Sequence, residues 1–296
     1  MHKINPGDKV AIIAPCGQIG DMSKIASAVD YIKSLELKPV FGKNLLKVRR
    51  YMAGTDSERA ADINSAFADS SIKAIFCVRA SAGGTRVLPY IDYELARTNP
   101  KPFIGFCDNT AVQLALLQKS KLVSYDGFVM AYDFKTGKID PQIKTDLENL
   151  LNHKTYEIKS GKTLHKGSAE GTLICSNLTV LTRMAGTPYF PNLANKILLL
   201  EEVNEPVYKI DLMLQQLKQQ KNFNKLKAVI FGQFIGVKSA EEDGTVEDCL
   251  HDFLQGTKLP AIYDFNFGHT PSRRVLPIGA KVAMDATRTT LKILKY

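Results

Sequence analysis

Through the first half of the chain, short uninterrupted apolar runs alternate with stretches of helical periodicity, and few architectures accommodate that pattern. Val10 to Ala14 is the first run, and Ser23 to Leu35 follows with Ile25, Ala28, Val29 and Ile32 at helical spacing. Pro39 to Phe41 is a second strand candidate. Thr55-Asp56-Ser57-Glu58 then supplies a capping box for a helix running through Ala60, Ile63 and Phe67. Ala74 to Val78 and Phe103 to Phe106 complete the series. A strand that is apolar at every position must be covered on both faces, and crossover helices provide the cover. The expectation is an α/β fold whose N-terminal domain, residues 1–132, is a doubly wound parallel sheet. In such sheets chemistry gathers at the carboxyl ends of the strands. Pro15-Cys16-Gly17, Arg79-Ala80-Ser81 and Cys107-Asp108 all fall there.

From 133 to 166 the texture becomes polar and charged, with one helix predicted over Pro141 to Leu151, and this stretch reads as a connector. Residues 167–296 carry strand candidates at Thr172 to Cys175, Ile197 to Leu200, Ala228 to Phe234, Ala261 to Phe265, Val282 to Asp285 and Leu291 to Leu294. More strands and fewer helices predict a smaller, β-rich second domain. A chain of 296 residues with 45% hydrophobic and 23% charged residues suits two soluble domains. The start, MHKINPGDKVAIIAP, has no apolar block, so neither a signal peptide nor a membrane span is expected. Five scattered cysteines without paired spacing argue for free thiols in a reducing cytoplasm, and against a zinc site. The net charge of +9 is spread among carboxylates, which reads as a solvated surface rather than a nucleic-acid interface.

The run PFIGFCDNTAVQLALL places Cys107 where a buried strand stops and a helix begins. A side chain at such a turn is pushed off the end of the sheet, beside the first backbone N–H groups of the helix. Gly105 leaves room for the turn, whereas Asn109 stands where an elbow of the GxSxG type has its second glycine. Taken alone, Cys107 is equally compatible with a small apolar core residue. A nucleophile needs a base, and only five histidines are present. His2, His153, His165 and His251 read as terminal, flanking or helix-surface residues. His269 instead follows an aromatic strand and a glycine, in AIYDFNFGHTPS, and either faces a cleft or sits in a solvated loop. Glu201 ends the apolar strand Lys196 to Leu200 and is the natural carboxylate for the other nitrogen of a base.

The order of these three elements, the elbow, then LLLEEVNEPVYKIDLMLQQL, then FGHTPSRRVLPIGAKVAMDA, resembles the LD-carboxypeptidases and the related microcin-immunity peptidases. PGDKVAIIAP, YMAGTDSERAADINSAFADSSIKAIFCVR and SNLTVLTRMAGTPYFPNLANKILLLEEV extend the likeness almost end to end. The resemblance implies a first domain like the class I glutamine amidotransferases, a β-rich second domain and a homodimer. It implies a triad at Cys107, Glu201 and His269, with no cofactor. It also implies hydrolysis of the bond between an L-centre and terminal D-alanine in muropeptide tetrapeptides, or cleavage of peptidyl-nucleotide antibiotics.

Three departures cluster at the implied site. The family's GYSD elbow has serine where this chain has Cys107. Its RGGYG loop reads Arg79-Ala80-Ser81-Ala82-Gly83, and its GGN reads Cys175-Ser176-Asn177. Where glycines are replaced, a left-handed backbone angle becomes less comfortable. Thiols are nonetheless good nucleophiles, and the glutamine amidotransferases carry one at a comparable elbow. The expected oxyanion donors are the N–H of Asp108 and one from the Ser81 region. Arg79, Arg86 and Asn177 are the candidates for substrate binding. The clustered departures also leave open an enzyme shifted to another amide, or a retired homologue that only binds its ligand.

Overall fold

The structure, a computed structural model, describes residues 4–296, so His2 lies outside the described residues. The chain divides into two compact units. The first holds the residues up to Lys154 together with Val275–Ile278, and the second holds Thr155–Arg274 and Gly279–Tyr296.

In the first unit the strands Lys9–Ile13, Lys38–Phe41, Ile72–Cys77, Phe103–Gly105 and Ser124–Asp126 are mutually parallel. Lys9–Ile13 lies between Lys38–Phe41 and Ile72–Cys77, and Phe103–Gly105 and Ser124–Asp126 follow outward. Leu276–Ile278 closes the far edge, antiparallel to Ser124–Asp126. Val10, Ile12, Ala74, Ile75, Phe103 and Ile104 are fully buried, as strands covered on both faces require. The Thr55 capping box forms as the spacing predicts: its hydroxyl accepts from Glu58 N, and the Glu58 carboxylate accepts from Thr55 N. The helix it opens, Asp56–Ala68, buries Ala60, Ile63 and Phe67.

The second unit is built on an eight-stranded mixed sheet. Its centre is three parallel strands, Ser168–Asn177, Lys196–Val203 and Ala228–Ile235, with Ala261–Tyr263 parallel beyond them. The hairpin Lys281–Asp285 and Thr290–Lys295 pairs antiparallel on the other side. The stretch expected as a connector is divided between the units. Helix Pro141–Leu151 belongs to the first, while strands Tyr156–Lys159 and Lys162–His165 form the outer edges of the second sheet. Among the described residues no helix is long and apolar enough to cross a membrane.

Candidate active site

At the carboxyl ends of the first sheet, three loops interlock. Phe106 is extended, Cys107 turns to φ +59°, and a single 3-10 turn leads into helix Thr110–Ser120. A non-glycine residue at positive φ, between a strand and a helix, is the geometry of a nucleophile elbow. Gly105 is required here, because a Cβ on it would lie 2.7 Å from Asn109 Cβ. Asn109, in the place of the elbow's second glycine, is wholly buried and used as a tie. Its Nδ2 donates to Arg79 O at 3.2 Å and Phe106 O at 3.1 Å, while its Oδ1 accepts from Cys16 Sγ at 3.2 Å. Gly17 N in turn donates to Ala80 O at 2.8 Å. The three strand ends singled out in the sequence therefore meet.

The five cysteines form no disulfide. Cys16, Cys77 and Cys175 are fully buried, and Cys249 is nearly so. Burial pushes the thiols of Cys16 and Cys77 well above their usual range, and the nearby Asp108 adds to the effect at Cys16. Cys107 alone of the five is partly exposed. Burial thus separates one partly exposed sulfur from four that solvent scarcely reaches.

Beside the elbow, the loop from Arg79 to Gly83 carries Ser81 at φ +87° and Gly83 at φ +119°. Ser81 thus takes a left-handed angle without being glycine, the less comfortable case for a residue with a Cβ. Arg79 is exposed, with Nη1 donating to Gln18 O at 2.7 Å. Arg86 is held differently. Its Nε and Nη2 grip the two oxygens of Asp56 at 3.0 and 2.7 Å. That pairing draws the Asp56 carboxyl below the usual carboxylate range, first through the Arg86 hydrogen bond and then through the charge of Arg59.

In the second unit, Glu201 follows Leu200 on the central strand Lys196–Val203 and is fully buried. Its Oε2 stands 2.7 Å from His269 Nδ1, and the His269 side chain is 19% exposed. A buried carboxylate at that distance keeps the proton on Nδ1, which leaves Nε2 as the basic nitrogen. Two glycines make room for the pair. A Cβ on Gly232 would meet Phe267 O at 2.4 Å, and Gly268, at φ +134°, would bring one to 3.1 Å from Glu201 Oε2. Glu202 points elsewhere. Its Oε1 accepts from Asn177 Nδ2 and Val203 N, and its Oε2 accepts from Thr179 N, while burial pushes its carboxyl upward. Asn177 is therefore engaged at both ends, because its Oδ1 also caps helix Leu178–Arg183 through Val180 N at 3.1 Å.

The first unit thus carries Cys107, Asp108, Ser81, Arg79 and Arg86, and the second carries Glu201, His269 and Asn177. His165 Nδ1 meets Leu259 O, and His251 lies 3.9 Å from Glu247 on an exposed helix face; neither faces a buried carboxylate. Among the described residues no group of three or more His, Cys, Asp or Glu side chains is arranged to hold a metal ion. Two residues escaped the sequence reading: Arg59, which is 1% exposed, and the side chain of Asp108, which is 4% exposed. For Arg59 the signal was present, since it lies four residues before Ile63 on the apolar stripe of its helix.

Residues 10–127 match the N-terminal domain model of the LD-carboxypeptidases, and residues 170–284 match the C-terminal domain model. The chain is 33% identical over 297 residues to a probable murein peptide carboxypeptidase of Bacillus subtilis, covering 98% of this chain and 92% of that one. It is 26% identical to the microcin C7 self-immunity protein MccF of Escherichia coli, across 90% of this chain and 86% of its counterpart. The solved structure of a muramoyltetrapeptide carboxypeptidase from Oxalobacter formigenes matches with a TM-score of 0.89 and 28% identity, covering 97% and 99% of the two chains.

Proposed function

The chain belongs to the LD-carboxypeptidase family and is a hydrolase, and from that premise we propose that it removes terminal D-alanine from muropeptide tetrapeptides with a Cys107-Glu201-His269 triad. The observation that carries the reading is the Glu201–His269 pair: a fully buried acid fixing the tautomer and orientation of a partly exposed imidazole. The elbow geometry at Cys107 supports the nucleophile, and the relatives named for murein peptides support the substrate.

In the proposed reaction His269 Nε2 takes the thiol proton, and Cys107 Sγ forms a bond to the carbonyl carbon of the L-residue. The N–H of Asp108 and one from the Ser81 region hold the oxyanion. The C–N bond then breaks, and His269 returns its proton to the departing amine of D-alanine. Water, deprotonated by the same imidazole, hydrolyses the thioester and restores the thiol. Arg79 is the better candidate for the substrate's terminal carboxylate, because the fork of Arg86 already grips Asp56. Asn177 acts here by capping its helix and holding Glu202, rather than by reaching substrate. We place the reaction in the cytoplasm, in a homodimer, without a cofactor.

The test is release of D-alanine from an L,D-tetrapeptide muropeptide by the parent protein, Cys107→Ser and Cys107→Ala. The parent is expected to be active and Cys107→Ala to lose at least about 10³-fold, as removal of a triad member does. Activity confined to Cys107→Ser would identify the natural protein as a retired enzyme. The likeness to MccF favours a second substrate class, and a peptidyl-nucleotide belongs in the same assay. Turnover of that compound with none of the muropeptide would overturn the murein reading and keep the triad.

A further inference from the structure

Two buried charges grip one peptide unit of the loop beside the elbow. The Gly83 carbonyl accepts from Arg59 Nη1 at 2.9 Å, and the N–H of the same peptide, that of Gly84, donates to Asp108 Oδ2. Arg59 is itself anchored on three sides: it donates to Pro15 O in the loop just beyond the first strand, contacts Met52 Sδ at 3.4 Å and pairs with Asp56. The packing is tight enough that a Cβ on Gly84 would stand 2.1 Å from Asp108 O. A peptide dipole with a guanidinium at its oxygen and a carboxylate at its hydrogen is aligned with the field at both ends, so rotation of that plane breaks two charge-assisted hydrogen bonds at once. This clamp sits directly after the two left-handed residues, Ser81 and Gly83, and so fixes a segment whose backbone angles the chain does not favour.

We propose that Arg59 and the Asp108 carboxylate are positioning groups that set the Ser81–Gly84 loop against the elbow, fixing the spacing of the two oxyanion donors. Asp108 then has two separate duties: its backbone N–H faces the oxyanion, and its side chain holds the loop that supplies the second donor. This rests on the reading of Cys107 as nucleophile. It goes further by assigning the oxyanion geometry to a buried ion pair bridged through a peptide. It also explains how the loop tolerates serine at a left-handed position.

Two reactions of the same sulfur separate the positioning role from general damage. Iodoacetamide alkylates the thiolate by displacing iodide at carbon and needs no oxyanion hole. With p-nitrophenyl acetate the Cys107 Sγ–C bond forms and the bond to p-nitrophenolate breaks through a tetrahedral oxyanion, the thiol proton passing to the base. For Asp108→Ala and Arg59→Met the acylation rate at Cys107 is expected to fall about 10²-fold, as displacement of one oxyanion donor would cause. Alkylation is expected to stay within about 3-fold of the parent, because the thiol is untouched. Asp108→Asn, whose Oδ1 still accepts from Gly84 N, is expected to recover acylation to within about 10-fold of the parent, and thermal melting confirms that each variant is folded. Unchanged acylation in Asp108→Ala would overturn the clamp. So would a parallel fall of both reactions in a folded variant, because Asp108 would then act on the thiol itself. A parent protein that is alkylated at Cys107 but never acylated would sink the reading of Cys107 as the acyl-transfer nucleophile first, an outcome visible before any variant is made.

Discussion

Ser81 occupies a backbone angle that glycine adopts more readily, and it does so on an exposed loop where its side chain gains no burial. A left-handed L-residue costs about 1–2 kcal/mol, and glycine's extra chain entropy returns part of that. Ser81→Gly is therefore expected to stabilise the protein by about 0.5–1 kcal/mol, read as a raised urea midpoint with unchanged slope; a loss of stability would show that the serine is better accommodated than its φ of +87° implies. Gly268 is the opposite case. At φ +134°, with Glu201 Oε2 only 3.1 Å from where a Cβ would sit, Gly268→Ala combines strain with displacement of the acid. It is expected to cost about 1–3 kcal/mol and to lower D-alanine release about 10²-fold. Turnover equal to the parent's would mean that the Glu201–His269 geometry tolerates the shift. Both positions were visible in the sequence as a missing and a retained glycine. Their backbone angles were not, because φ depends on what the flanking strands and loops impose.

At the level of the element, helix Asp56–Ala68 has a second role beyond covering the sheet. Its first turn carries Asp56 between the buried Arg59 and the exposed Arg86. Because the arginines draw this carboxyl below its unfolded value, the stabilisation is fully present above about pH 4 and fades as pH falls through the lower folded value. Asp56→Asn is thus expected to lower stability at pH 7, by about 2 kcal/mol from the charge assistance lost around Arg59, and the gap to the parent is expected to narrow as pH falls below about 4. Urea midpoints at neutral and acid pH check this; a gap that does not narrow in acid would assign the effect to something other than the charge. The helix itself was legible, from Thr55 and Glu58 at its start and Ile63 and Phe67 on its stripe. The long buried strands were equally plain. Ser124–Asp126 and Leu276–Ile278 were not, because the first carries Ser124 and Asp126 in place of an apolar run and the second has Pro277 inside it. Tyr156–Lys159 and Lys162–His165 carry too little burial to show a pattern, so their pairing in the second sheet is dictated by neighbours rather than by their own residues.

At the scale of the molecule, the two-domain plan was readable because the resemblance runs almost the whole length of the chain. The exchange of a strand was not, because it has no local cause: Val275–Ile278 leaves the second unit, pairs through Leu276 and Ile278 with Asp126 and Ser124, and returns. Val275 N is also held by Asp146 Oδ2 at 3.0 Å, on the helix Pro141–Leu151. Val275, Leu276 and Ile278 are fully buried, and at about 1.5–3 kcal/mol for each side chain their loss approaches the whole stability of a typical domain. A fragment ending at residue 154 is expected to bind the dye ANS and to lack near-ultraviolet circular dichroism, and a peptide spanning 272–281 is expected to restore order in trans. A fragment already native-like would show the strand to be dispensable.

The same strand has a consequence during synthesis. A ribosome that has finished the first unit's own residues must still make all of Thr155–Arg274 before the closing strand emerges, a delay on the order of ten seconds at bacterial translation rates. For that interval the nascent sheet ends at Ser124–Asp126 with an unpaired edge, a natural landing place for a chaperone and a point at which slow translation would favour aggregation.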